Sequence, residues 1–264
     1  MGVLNFFSGH GDSTFIGRAK ALWVPDKYKR RYFEHEFNNV RRYYSGSLQN
    51  LSFPDGNHHF DAPTTDFGFM LKFAALLNAY KKNPAIIAFR GKGGCSLAPI
   101  AQSGVGDGFF KGDTGLYNTV VGEINTAKAD AIAEGWTINH VAHIIMLGLN
   151  DTLTDTAANN FESNLTQHIA DLTSDLSLPP TTLIIVAKPN GDTVANGING
   201  TRYNTISTGI DNVEAANSLV RVADLTGLDL ITGDIHQSWK AEVGKEEDGG
   251  YDDVATTLYQ TIYP

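Results

Sequence analysis

The chain is poor in cysteine, in positive charge and in long apolar runs, and each shortage closes off a class of protein. Cys95 is the one cysteine among 264 residues. No intrachain disulfide can form, so the fold needs no oxidising compartment. Lys and Arg number 20 against 29 Asp and Glu, a net charge of −9. Gripping nucleic acid draws on Lys and Arg set against phosphates, so no nucleic-acid partner is expected, and anionic membrane surfaces are a poor match for the same reason. No apolar run approaches the roughly 20 residues of a membrane-spanning helix. The opening "MGVLNFFSGHGD" lacks a basic start followed by a long apolar segment, so no secretory leader is expected. A cytoplasmic protein fits, as does a part of a larger exported or virion protein. The histidines show no HExxH or similar spacing, and "GKGGCS" has Gly and Lys without the phosphate-loop spacing. Neither a metal nor another cofactor is expected. Oligomeric state is not legible.

What is present is a regular alternation. Hydrophobic residues make up 42% of the chain, enough for a buried core. Short β-branched runs, "VLNFF" at 3–7, "AIIAF" at 85–89, "HIIML" at 143–147, "TLIIVAK" at 182–188 and "LVRVADL" at 219–225, read as buried strands. Between them lie stretches with apolar residues at helical spacing. One covers 66–82, with Phe69, Met70, Phe73, Leu76, Leu77 and Tyr80 as its stripe and Thr64, Thr65 and Asp66 as caps. A second covers 116–134, through Tyr117, Val120, Val121, Ile124 and Ile132, with Gly135 as its stop. A third covers about 156–176, through Phe161, Leu165, Ile169, Leu172 and Leu176. A short helix near 212–218 and a closing helix through Val254, Ala255, Leu258 and Ile262 complete the set. Residues 190–210, rich in Gly, Asn and Thr, read as a surface loop. Residues 18–63 read as an irregular, aromatic-rich insertion with short strands. Strands alternating with helices predict one α/β domain over 1–264, a parallel sheet covered by helices on both faces.

Ligands of such sheets bind beyond the carboxyl ends of the strands. Four short groups occupy those places. Gly11-Asp12-Ser13-Thr14 follows the first strand, and Arg90-Gly91-Lys92-Gly93-Gly94-Cys95-Ser96 follows "AIIAF". Gly148-Leu149-Asn150-Asp151 follows "HIIML", and Asp234-Ile235-His236 lies about ten residues beyond the last strand. Taken alone, each has an ordinary explanation: Ser13 a helix cap, Asn150 a turn residue, Gly91 and Gly94 turn glycines.

In order and spacing the four groups resemble the SGNH-hydrolase superfamily, the GDSL esterases. Gly11-Asp12-Ser13 with Gly17 matches the first block of that family. Gly91 and Gly94 match the second, with Phe89 where the family often has Asn, and "GLND" matches the third in full. Within the superfamily, "GDSTFIGRA", the long aromatic-rich segment and "GGCSLA" look most like sialate O-acetylesterase-like carbohydrate esterases. The resemblance implies a three-layer α/β/α, flavodoxin-like fold and a serine esterase acting on O-acetyl groups of a carbohydrate. It implies Ser13 as nucleophile and His236 as its base. It also implies an oxyanion hole built from the Ser13 and Gly91 N–H groups and the Asn150 amide.

The chemistry is coherent, because serine is a weak nucleophile without a neighbouring base, and a tetrahedral oxyanion needs preorganised donors. The family places its acid three residues before the histidine; here Asp234 stands two before His236. Asp234, Asp229 or a simple Ser–His dyad would each serve. Arg90 and Lys92 flank Gly91 and could steer an acidic sugar. Cys95 reads as a small, partly buried residue with no partner histidine for thiolate chemistry. Two other functions fit the same pattern: a non-catalytic glycan-binding module on this scaffold, and a lipase or thioesterase of the same superfamily.

Overall fold

A computed structural model describes residues 2–12, 15, 19–20, 39–44, 46–51, 66–67, 69–81, 83–98, 108–112, 115–228 and 250–264. The first strand sets the plan. β1 (Val3–Gly11) is buried at every position after Val3 and lies at the centre of the sheet. Helices cover both faces of the sheet, so both sides of a central strand are buried; β1 is mostly apolar or small, with Asn5, Ser8 and His10 as its buried polar residues.

Going along the chain, the short β2 (Ala19–Lys20) pairs with β5 (Asp66–Phe67) as a separate antiparallel ribbon. β3 (Val40–Tyr44) and β4 (Ser47–Asn50) form a hairpin on one edge of the main sheet. The remaining strands are β6 (Ala85–Gly91), β7 (Thr137–Met146), β8 (Leu183–Lys188) and β9 (Val220–Asp224). The order across the sheet is β4-β3-β6-β1-β7-β8-β9, parallel throughout except for β4. The run β6-β1-β7-β8-β9 is the flavodoxin-like doubly wound order, and its switch point falls at β1 and β7.

Helices cover both faces. α1 (Met70–Tyr80) and α5 (Gly250–Ile262) pack on one, where Phe7, Phe15, Phe69, Phe73 and Phe89 form an aromatic core. α2 (Leu116–Ala133), α3 (Asp155–Asp175) and α4 (Gly200–Ala216) pack on the other, against Leu4, Phe6, Ile86, Ile145 and Val186. The expected α/β/α layering with a central parallel sheet is therefore observed.

Several expectations need correction. The segment 190–210 is not a surface loop: after a short 3-10 turn (Gly191–Asn196), α4 runs from Gly200 to Ala216. Asn199 caps it by accepting from the Arg202 N–H, and Tyr203, Ile206, Ile210 and Val213 bury one face. That four-residue stripe outweighs the weak helix propensity of Gly, Asn and Thr. α1 starts at Met70 without a side-chain cap, because Asp66 belongs to β5; Thr64 and Thr65 lie outside the described residues. Ile132 is 58% exposed and lies off the buried stripe of α2. The first strand extends to Gly11, four residues past "VLNFF". Of the 18–63 insertion, the described part includes the β3–β4 hairpin, which widens the sheet.

Candidate functional site

The carboxyl ends of β1, β6 and β7 meet at the switch point. Gly11 pairs in register with Gly91 on one side and Met146 on the other. The chain stays joined past the strands: Lys92 N–H donates to the Gly11 carbonyl at 3.0 Å, and Asp12 N–H donates to Met146 at 3.1 Å. Gly11 has to be glycine. A Cβ there would stand 2.4 Å from the Met146 carbonyl oxygen and 2.5 Å from the Phe15 Cβ. Phe15, fully buried, thus pins the turn after β1 onto the aromatic core.

The third group closes over the second. Gly148 turns the chain at φ +119, a left-handed conformation, with the Ile206 and Phe161 side chains packed close around it. A 3-10 turn (Asn150–Leu153) follows and leads into α3 through the Thr154 cap. Two consecutive side chains of that turn grasp the segment after β6. The Asn150 amide donates to the Cys95 carbonyl at 2.7 Å. The Asp151 carboxylate accepts the Leu97 N–H with its two oxygens at 3.2 and 3.0 Å. Cys95 itself is sealed in, its thiol donating to the Lys92 carbonyl.

Burial controls the charge states here. Asp151 is 1% exposed. Burial raises its pKa to about 7, the N–H groups of Leu97 and Ala98 oppose that rise, and the neighbouring Asp12 adds to it. Burial also raises the Cys95 thiol well above its ordinary value, with Asp12 and Asp151 adding to it, so the thiol is protonated and inert. Arg90 does not face an open site: Nη2 donates to Glu123 Oε1 at 2.8 Å, Nε donates to Oε2, and the guanidinium lies over the Tyr44 ring. A free steering role for Arg90 is thereby corrected, because its charge is already matched by a carboxylate.

Of the residues singled out from the sequence, Gly91 lies beside Gly11 and Asn150 is joined to the same segment at Cys95. Ser13, His236, Asp234 and Asp229 lie outside the described residues. Asn150 spends one of its two N–H groups on Cys95, leaving one for a ligand. The histidines His58 and His59 also lie outside the described residues. Among the described residues, no group of three or more His, Cys, Asp or Glu side chains is placed to hold a metal ion. Among them, too, no helix is long and apolar enough to cross a membrane.

Two features escaped the sequence reading. One is the grip of Asp151 on the Cys95–Leu97 segment. The other is a buried line of histidines beneath the site: His140, Ser8, His143, His10 and His168 join end to end. A signal for it exists in β1, where Ser8 and His10 alternate with Phe7, Gly9 and Gly11 and Asp12 follows directly, a polar face in a strand buried on both sides.

No family model matches the sequence, and no curated protein matches it. Solved structures do. An Arabidopsis thaliana protein superposes with a TM-score of 0.73 at 16% identity, covering 98% of this chain and 97% of that one. A carbohydrate acetylesterase from Xanthomonas citri superposes at 0.62 and 13% identity, covering 98% of this chain but 56% of that one. A lipase/acylhydrolase from Enterococcus faecalis does so at 0.50 and 15% identity, covering 98% and 95%. At these identities the likeness is one of fold: the α/β/α layering around a mostly parallel sheet is shared with a carbohydrate acetylesterase and a lipase/acylhydrolase.

Proposed function

We propose that this protein is a serine ester hydrolase that removes O-acetyl groups from a carbohydrate. The reading is carried by one observation: the three sequence groups at 11–12, 91–97 and 148–151 are hydrogen-bonded to one another at the switch point of the sheet. Ser13 directly follows the first of them. The fold shared with a carbohydrate acetylesterase and a lipase/acylhydrolase supports ester chemistry.

In this reading, Ser13 Oγ attacks the acetyl carbon while His236 takes its proton. The negative charge that forms on the carbonyl oxygen is received by the N–H groups of Ser13 and Gly91 and by the free N–H of Asn150. Collapse breaks the ester bond, and the sugar alcohol leaves with the proton from His236. Water, deprotonated by His236, then attacks the acyl carbon; the bond to Ser13 Oγ breaks, Oγ regains the proton from His236, and acetate leaves. Asp234 orients the His236 ring and balances its charge. The substrate partner is an acylated carbohydrate or another small ester, and the chemistry needs no cofactor.

The test is Ser13→Ala against p-nitrophenyl acetate and acetylated sugars, with fluorophosphonate labelling of the unaltered chain. Loss of turnover in the variant and a label on Ser13 are expected. Wild-type turnover in Ser13→Ala would refute the mechanism. No label together with tight glycan binding would instead make the protein a glycan-binding module. Faster hydrolysis of long acyl chains than of acetate would make it a lipase or thioesterase.

A further inference from the structure

The line of histidines crosses three elements inside the core. His140 and His143 belong to β7, Ser8 and His10 to β1, and His168 to α3. All five residues are at most 1% exposed. His140 Nε2 lies 2.8 Å from Ser8 Oγ, which lies 2.7 Å from His143 Nδ1. His143 Nε2 lies 3.0 Å from His10 Nδ1, and His10 Nε2 lies 2.8 Å from His168 Nε2. The geometry is made by an irregularity. Residues three apart on a regular strand face opposite sides. In β7 the register slips between Phe6↔His140 and Phe7↔Ala142, so one residue is skipped and His143 comes to the same side as His140.

A neutral imidazole has one N–H and one bare nitrogen, and serine has one hydrogen. When the serine spends its hydrogen within the line, the four bonds are satisfied in two ways: every group donates towards His168, or every group donates towards His140. In either direction, one terminal Nδ1 is bare and the other carries hydrogen. Both terminal Nδ1 atoms are without a partner among the described residues. A proton added to His10, or to the His143 nitrogen that faces it, turns an N–H···N bond into two opposed N–H groups. A proton added at the bare end leaves every bond intact but makes a buried cation.

Among the described residues, the surroundings offer that cation one weak favourable contact, from the Ala142 backbone to His140. Phe6 and Phe109 pack against His140 and His10. From α2, the Lys128 ammonium repels charge on His140, and Tyr117 meets His168 edge-on while its hydroxyl donates to Asp175. Among the described residues, no carboxylate contributes to the charge state of any of the four rings; burial pushes all four downward, to about 3 for His140 and His168, and neighbouring rings add to it for His10 and His143.

We propose that this line of rings is an acid-operated lock. It holds β1, β7 and α3 together while every ring is neutral. Mild acid opens the fold there through proton uptake, releasing α3 and the Asn150–Leu153 turn that leads into it. The unfolded rings take protons near pH 6.5, where the folded ones refuse them. The lock acts on the fold, so it stands independently of the esterase reading.

The test uses the whole chain labelled with ¹⁵N in its histidine rings. In folded protein from pH 8 to 5.5, four ring systems should remain neutral and keep protected N–H signals. Each is assigned by a single His→Gln variant. Hydrogen exchange at pH 5.5 should reach the amides of 150–172 before those of β8. His140→Gln and His168→Gln lie at the ends of the line and interrupt one bond each. In both, the protons taken up on unfolding at pH 5.5, read from the pH dependence of urea stability, should fall by about one. Titration near pH 6.5 of any of the four rings in the folded chain would overturn the proposal. So would unchanged proton uptake in both end variants.

Discussion

Replacing Asp151 by asparagine should make the protein more stable in alkali and yield that advantage in acid. The carboxyl ionises near 3.9 in an unfolded chain and at about 7 in the folded one. Between those values the folded state holds a proton that the unfolded state has released. Stability therefore falls as pH rises from about 4 to 7, and the full penalty is present above 7. At about 1.4 kcal/mol per pKa unit, that penalty is about 4 kcal/mol. Asparagine carries no charge to bury and keeps one oxygen to accept from Leu97. It loses the second oxygen, which costs about 1 kcal/mol at every pH. The pH-independent part cancels from the comparison between pH values. From pH 6 to pH 8.5, the stability of Asp151→Asn relative to the parent should rise by about 1.4 kcal/mol, a tenfold change in folding equilibrium. Urea unfolding of both proteins at pH 6, 7, 8 and 8.5 measures it. The buried histidines are common to both proteins and drop out of the difference. A difference that is flat across this range, or that favours the variant more in acid, would refute the placement of a buried, reluctantly ionised carboxylate at 151.

Other outcomes follow from the same geometry. Asn150→Ala should lower turnover roughly 100- to 1000-fold if its free N–H receives the oxyanion, with far-UV circular dichroism unchanged. Gly11→Ala drives a methyl group against the Met146 carbonyl and the Phe15 ring, and should cost about 1–3 kcal/mol in urea unfolding. Asp234→Ala and Asp229→Ala should differ in hydrolysis rate, with the loss confined to Asp234→Ala; a loss confined to Asp229→Ala would move the acid, and loss in neither would leave a Ser–His dyad.

The layer plan was legible because burial on both faces demands runs such as "AIIAF" and "HIIML", which few other structures would use. The three groups at 11–12, 91–97 and 148–151 were legible for a related reason: small residues must follow strands that end at a crowded switch point. α4 was hidden because Gly, Asn and Thr crowd the segment that opens it, and only four well-spaced apolar residues mark its buried face. The histidine line was hidden more deeply. His140 and His143 stand at a spacing that separates them on a regular strand, and only the slip in β7 unites them. Nothing local announces that slip. Nor does sequence alone show that Arg90 is matched by Glu123, since 33 residues separate the two.

Cys95 gives the molecule a clock of its own. It is the single thiol of the chain, 1% exposed, held protonated and closed in beside Gly11 and Asp151. A thiol reagent can reach it only when the packing around the segment between Gly91 and Leu97 opens. The speed of modification at saturating reagent is then the frequency of that opening, read without substrate and without added labels. The same enclosure shields the sulfur from oxidants for as long as the packing stays closed.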